Sequence, residues 1–312
     1  MQAEFYGRSD ETLWDRFVAT STNGTFLFCR SYMDYHADRF ADASVVVRDA
    51  KGRVCALLPA NRDGDRLVSH GGLTYGGFVV DGSMRVATML EVFDASRGLL
   101  VAEGITEWIY KPVPHIYHIE PCEADLYALF RCDAALIRRD VGACACPAQL
   151  GEWPERVASS LRKAGSAGLH VTESRDFLEF WPLLEENLAA RHGACPVHSL
   201  LEMELLGSRF PREIRLFVVH RAGRIEAGAV IYETKTVAHV QYAASTEEGR
   251  KAGAPALLVT ELIRKQFGQK RWFDYGTSVE MGGRVMNDGL QRFKEGFGLR
   301  GVVADHYSVP LT

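Results

Sequence analysis

Two stretches of the chain repeat one pattern of apolar and polar positions. "ASVVVRDAKGRVCALLPANR" and "IRLFVVHRAGRIEAGAVIYE" are each a pair of short apolar runs around a polar turn, at Gly52 and Gly223. Runs of this length and composition, split by a glycine turn, predict a β-hairpin. Each hairpin leads into a third strand, "DRLVSHGGLTYGG" and "TVAHVQYAAST". Apolar residues then recur at helical spacing in "SMRVATMLEVFDASRGLLVAEG" and "APALLVTELIRKQFG". A strand marked by tryptophan follows, "TEWIYKP" and "RWFDYGT", and after it a short helix and a closing strand, "AALIRRDV" and "GVVADHYSV". Trp108 and Trp272 stand 164 positions apart (272 − 108), and the turn glycines 171 apart (223 − 52). The residues barely match but the order of elements does, which predicts an internal duplication.

A meander followed by helix-linked strands makes a sheet that is antiparallel first and parallel later. The predicted class is mixed α/β: two tandem domains, each a mixed antiparallel/parallel sheet flanked by helices. Pro147, Pro154 and several glycines interrupt "GACACPAQLGEWPERVASSLRKAGSAG". The boundary is therefore placed within 142–152, for domains 1–146 and 147–312.

Composition narrows the function by exclusion. The chain has 312 residues, 47% hydrophobic and 24% charged, with net charge −4, which is ordinary globular usage. No basic block stands out, so there is no electrostatic case for nucleic acid. No apolar run approaches 18 residues and no basic-then-apolar leader opens the sequence, so a cytoplasmic protein without membrane insertion is expected. Seven scattered cysteines fit reduced thiols. "CACP", Cys144 to Pro147, and the pair His115 and His118 lack zinc spacing, so no metal is expected.

The second half offers a ligand one feature. From Arg250 the sequence runs Arg-x-x-Gly-x-Pro into a helix whose apolar face is Leu257, Leu258, Leu262 and Ile263. A helix N-terminus with small residues and nearby Arg250 and Lys251 suits a phosphate or pyrophosphate; the same glycine turn also serves as a plain cap.

This segment resembles the coenzyme A pyrophosphate loop of GNAT acyltransferases, Arg-x-x-Gly-x-Gly/Ala, in Arg250 and Gly253; Pro255 departs from it. "FKEGFG" near the end is similar to the Phe-Lys-x-x-Phe-Gly segment of the Fem-type family, built from two GNAT-like domains, through Phe293, Lys294, Phe297 and Gly298. "GGLTYGGFV", Gly71 to Val79, also looks Fem-like. The resemblance implies a tandem GNAT fold and acyl transfer. Its peptidyltransferase branch uses aminoacyl-tRNA and commonly carries a coiled-coil arm. Here the only candidate arm breaks on glycines. The branch resembling acyl-CoA-dependent N-acyltransferases of surface-polysaccharide pathways is therefore favoured. It implies acyl-CoA as co-substrate, no permanently bound cofactor, and an amino sugar, nucleotide-linked, as acceptor; a homodimer stays open. On this resemblance Ala243, Ala244, Ser245, Gly249, Arg250, Lys251, Gly253 and Ala254 hold the donor, and Lys294 faces the acceptor.

Thioester-to-amine transfer needs a neutral amine, a polarised carbonyl and a near-attack geometry, but no enzyme nucleophile. His70 and Asp274 are candidate bases, and Tyr242 and Tyr275 candidate proton donors to the thiolate, at strand ends facing an expected inter-domain cleft. The proline-stiffened loop "YKPVPHIYHIEP" presents Lys111, His115, Tyr117 and His118 as acceptor contacts, with Tyr75. Each has a plainer reading: His70 as a turn residue, Asp274 as a cap of "GTS", the tyrosines as packing aromatics, the loop as rigid surface. A Fem-type aminoacyl ligase and a non-catalytic binding protein remain the alternatives. A nucleotide-binding oxidoreductase is disfavoured, since no G-x-G-x-x-G follows the first strand.

Overall fold

The computed structural model describes residues 1–311, with backbone alone at 191 and 192. Packing divides the chain into two compact units. The first holds Met1–Val141, Met281–Arg284 and the chain from Val303 onward; the second holds Gly142–Glu280 and Val285–Val302. Where the sequence pattern places the cut at 146/147, packing places it at Val141/Gly142, and the last strand ends in the first unit.

In the first unit, β1 (Gln2–Phe5), β2 (Val45–Arg48) and β3 (Val54–Leu58) form an antiparallel meander, with β2 and β3 the predicted hairpin. The predicted third strand is a strand only over β4 (Arg66–Val68); a long loop then leads to β5 (Val79–Val80), just past the predicted segment, which pairs with β3. The break is local chemistry. His70 takes φ 48°, and a Cβ on Gly76 would lie 2.2 Å from the Ser69 carbonyl oxygen, so backbone folds back on backbone where only glycine fits. Helix α1 (Val86–Ala102) then covers the sheet, and β6 (Glu107–Tyr110) pairs in parallel with β4, Trp108 opposite Leu67. Helix α2 (Ala124–Arg131) follows, and strand β7 (Ala135–Ala145) begins in this unit and continues into the second. The core is Val45, Val47, Leu58, Phe93, Trp108 and Leu129 with their neighbours.

A buried hydroxyl–carboxyl pair lies inside that unit. The Tyr110 hydroxyl donates to Asp125 Oδ2 at 2.8 Å, and burial pushes the Asp125 carboxyl up to about 6. Its folded pKa lies above the ordinary 3.8, so the folded chain holds more protons than the unfolded one between about pH 4 and 6. This contribution to stability is therefore complete below pH 4 and is lost as pH rises through 6. Denaturant titrations across pH 4–7 should show the wild type losing stability relative to Asp125→Asn over that window. A pH-independent difference would remove the buried carboxyl as its source.

The second unit opens with α3 (Glu155–Ser166) and β8 (His170–Ser174). Two helices follow, α4 (Phe177–His192) and α5 (Leu200–Arg209), beyond the elements read from the sequence. Pro182 sits inside α4, where a proline ordinarily marks a break, and obscures the periodicity of Phe177, Phe180, Trp181 and Leu184. The meander is β9 (Ile214–Arg221), β10 (Arg224–Glu233) and β11 (Val237–Ser245), with β8 on the outer edge of β9. Helices α6 (Glu247–Ala252) and α7 (Ala254–Glu261) lead to β12 (Trp272–Thr277), which pairs in parallel with β11. Helix α8 (Asp288–Glu295) and strand β13 (Arg300–Pro310) end the chain. Phe217, Ala229, Ile231, Val259, Leu262, Ile263 and Phe273 lie in this core. The two units thus share the order hairpin, helix, parallel tryptophan strand, helix.

Candidate active site

Strands β11 and β12 are paired over three positions only: Val237↔Trp272, Ala238↔Phe273 and His239↔Asp274. Beyond His239, β11 runs on to Ser245, held on its other edge by β10. The register with β10 slips between Val230 and Ile231, which face Tyr242 and Val240, so Gln241 is bulged. A bulge bends its strand and turns it out of the ladder. Backbone groups released from a ladder are donors and acceptors for a ligand.

Tyr242 stands just past the bulge. Its hydroxyl is 2.6 Å from His198 Nδ1 and accepts from the His198 amide at 3.3 Å, and its ring meets Trp181 edge-on. Burial pushes its pKa up, so the phenol is a protonated donor at neutral pH. His198 belongs to the segment joining α4 and α5. Nothing in "CPVHS" marks it as a partner of a tyrosine 44 positions away, a pairing that only the fold makes.

The last pair of the ladder carries a second constellation. His239 Nδ1 lies 2.7 Å from Asp274 Oδ2, and the other carboxylate oxygen accepts from the Gly276 amide at 3.0 Å. Asp274 therefore caps the turn and holds a histidine as well. Lys294, from α8, donates to the carbonyl oxygens of Gly276 at 2.8 Å and Thr277 at 2.7 Å, and its ammonium stands over the Tyr275 ring. Burial lowers its pKa to about 8 against the opposing pull of the Asp274 charge. Phe293 and Phe297 pack edge-on at 5.2 Å beside it. So Lys294 fastens the end of β12 rather than standing solvated on its helix. Burial also raises the Tyr275 hydroxyl well above its ordinary value.

The segment carrying the predicted donor contacts is helical. Ala243 is exposed on β11, while Ala244 and Ser245 are buried at its end. Thr246 caps α6, its hydroxyl accepting from Gly249 N at 2.8 Å, and Arg250 donates to the Ser245 carbonyl at 2.6 Å. Lys251 is exposed and pairs with Glu247. Gly253 turns the chain at φ 88°, and a Cβ there would sit 2.3 Å from the Ser160 carbonyl of α3. Ala254 is fully buried behind it.

The candidates in the first unit are mostly internal. His70 is buried against the His36 ring, and burial lowers its pKa to about 2. Its carbonyl and that of Leu73 accept from Lys111 Nζ at 2.7 and 2.8 Å, and burial brings that ammonium to about 7. The Tyr75 hydroxyl donates to Thr25 and its ring lies tilted against Tyr117, centroids 4.3 Å apart. His118 Nε2 bonds the Val113 carbonyl, and of the loop's candidates His115 alone is exposed.

Residues 155–295 match the family described as Acetyltransferase (GNAT) domain. The matched segment, under half of the chain, makes the second unit similar to a GNAT acetyltransferase domain. The protein is accordingly an acyltransferase, and GNAT domains generally take acyl-CoA as co-substrate. The bulged, early-parting pair β11 and β12 lies wholly within the matched segment. Solved structures share the fold of nearly the whole chain. FemX superposes with TM-score 0.68 at 13% identity, over 98% of this chain and 97% of its own. The C-terminal domain of a putative lysylphosphatidylglycerol synthetase from Agrobacterium fabrum gives 0.63 at 13%, over 98% and 93%. A tandem GNAT protein from the clavulanic acid biosynthesis pathway gives 0.52 at 13%, over 100% and 99%. No curated protein matches the chain significantly. Among the described residues no helix is long and apolar enough to cross a membrane.

Proposed function

We propose that the protein moves an acyl group from a coenzyme A thioester to the amine of an amino sugar, nucleotide-linked, by direct attack of the nitrogen on the thioester carbon. The observation that carries this reading is the parting of β11 from β12 after His239↔Asp274, with Tyr242 just beyond it. A thioester arm laid along the released edge of β11 meets backbone N–H groups that polarise its carbonyl, a preorganised arrangement that water cannot match. Tyr242, kept protonated by burial, supplies the leaving thiolate with a proton. The amino sugar rests on the family resemblance.

A second reading, an aminoacyl-tRNA donor, is favoured by one observation: Gly253 faces a carbonyl of α3 at close range, so the first turn of α7 is packed against protein. A thermal-shift screen separates the two, because a ligand that binds the native state raises the melting temperature by mass action. Acyl-CoAs at about 100-fold over their dissociation constants should add about 2.7 kcal/mol, and nucleotide-linked amino sugars should shift melting independently. A shift with aminoacyl-tRNA and none with any acyl-CoA would replace the first reading by the second.

A further inference from the structure

We propose that His239 is the general base of this acyl transfer, with Asp274 as its positioning residue; the proposal rests on the acyl-transfer reading above. His239 occupies the final β11–β12 pair, so its imidazole stands where the two strands part. A carboxylate oxygen accepts, so the 2.7 Å contact to Asp274 places the proton on Nδ1 and leaves the lone pair on Nε2. The carboxylate cannot swing away, since Oδ1 is held by the Gly276 amide. Among the described residues Nε2 has no protein partner, and the His239 side chain keeps 11% of its surface exposed. An anchored Nδ1 and an open Nε2 are what a base oriented by a carboxylate requires.

The surroundings do not compete for the proton. Tyr232 lies opposite His239 on β10, and Cys144 lies opposite Asp274 on β7. Burial, with the Asp274 charge, pushes the Cys144 thiol up to about 12, so it stays neutral. Lys294 is engaged by two carbonyls and contributes only its charge toward Asp274. His70, the histidine singled out from the sequence, is sealed in the other unit's core.

The step balances without another reagent. The neutral amine nitrogen adds to the thioester carbon, and its positively charged form gives one proton to His239 Nε2. The carbon–sulfur bond then breaks, and the thiolate takes a proton from the Tyr242 hydroxyl. Solvent carries the proton from imidazolium back to tyrosinate, leaving an amide and a free thiol.

The test uses the full chain with acetyl-CoA and glucosamine as probes, followed by loss of thioester absorbance. His239→Gln should lower kcat roughly 10²-fold or more and flatten the acidic limb of its pH profile. The melting shift produced by acetyl-CoA should stay at its wild-type size. Free imidazole should restore part of the activity of His239→Ala. If His239→Gln does not fold, Asp274→Asn carries the test: an amide there no longer fixes the proton on Nδ1, so kcat should fall while the acetyl-CoA melting shift is kept. An Asp274→Asn enzyme with wild-type kcat, or a His239→Gln enzyme as fast as wild type, overturns the proposal alone. A wild type inert towards these probes and the wider panel of thioesters and amines overturns the acyl-transfer reading and this proposal with it.

Discussion

Lys294→Ala should destabilise the second unit by about 4 kcal/mol, through a cavity and two stranded carbonyls. The side chain is 1% exposed, and its ammonium holds the Gly276 and Thr277 oxygens where β12 ends. The motif resemblance alone points elsewhere, to an ammonium that meets the acceptor, whose removal would raise the Michaelis constant and leave melting unchanged. The geometry reverses the order of effects: stability falls first, and activity follows it. Lys294→Met keeps most of the volume and isolates the charge. With a folded pKa of about 8 against an ordinary 10.5, the folded chain holds fewer protons than the unfolded one between those values. Wild-type stability should thus rise with pH from 8 to 10.5 relative to Lys294→Met. Unfolding curves at pH 7, 9 and 10.5 check both claims. Unchanged melting of Lys294→Ala would return the residue to the substrate side.

Gly253→Ala should cost as much and for unrelated reasons. A left-handed backbone at φ 88° costs a non-glycine residue about 1–2 kcal/mol before any contact is counted. The added Cβ would also lie 2.3 Å from the Ser160 carbonyl, a distance real atoms do not keep, so α3 and the α6–α7 joint would have to separate. We expect a loss of at least 3 kcal/mol, with donor binding lost alongside folding. Arg250→Ala is the better probe of donor contact, because it removes a partly exposed side chain whose single backbone partner is Ser245. Native-like melting of Gly253→Ala would show that the packing can yield, and would reopen the turn to a phosphate.

These two residues show what kind of information each level carries. Lys294 and Gly253 are both picked out by short sequence motifs as ligand contacts, and in the fold each lies against backbone carbonyls. The same holds in the first unit. Lys111 and His118 stand in a loop that looks like a presented surface, and Tyr75 in an earlier one, yet Lys111 Nζ, the Tyr75 hydroxyl and His118 Nε2 are taken up by Leu73, Thr25 and Val113. A polar side chain at a strand end is equally suited to backbone or to substrate. Only knowing which carbonyls arrive beside it separates the two.

The sequence by itself determined the hairpins at Gly52 and Gly223, the tryptophan strands, the mixed sheet and the tandem order, because period-two and helical apolar spacing are local properties of the chain. It could not show α4 behind Pro182, nor the break of the third strand at His70, where close backbone approach overrides β-propensity. The site belongs to the tertiary structure. Tyr242 meets His198 from 44 positions away and His239 meets Asp274 from 35, and each pair exists only because strand register and helix packing close that separation. A hydrogen-bonded pair is defined by distances near 3 Å, and sequence spacing carries no such distance across a sheet.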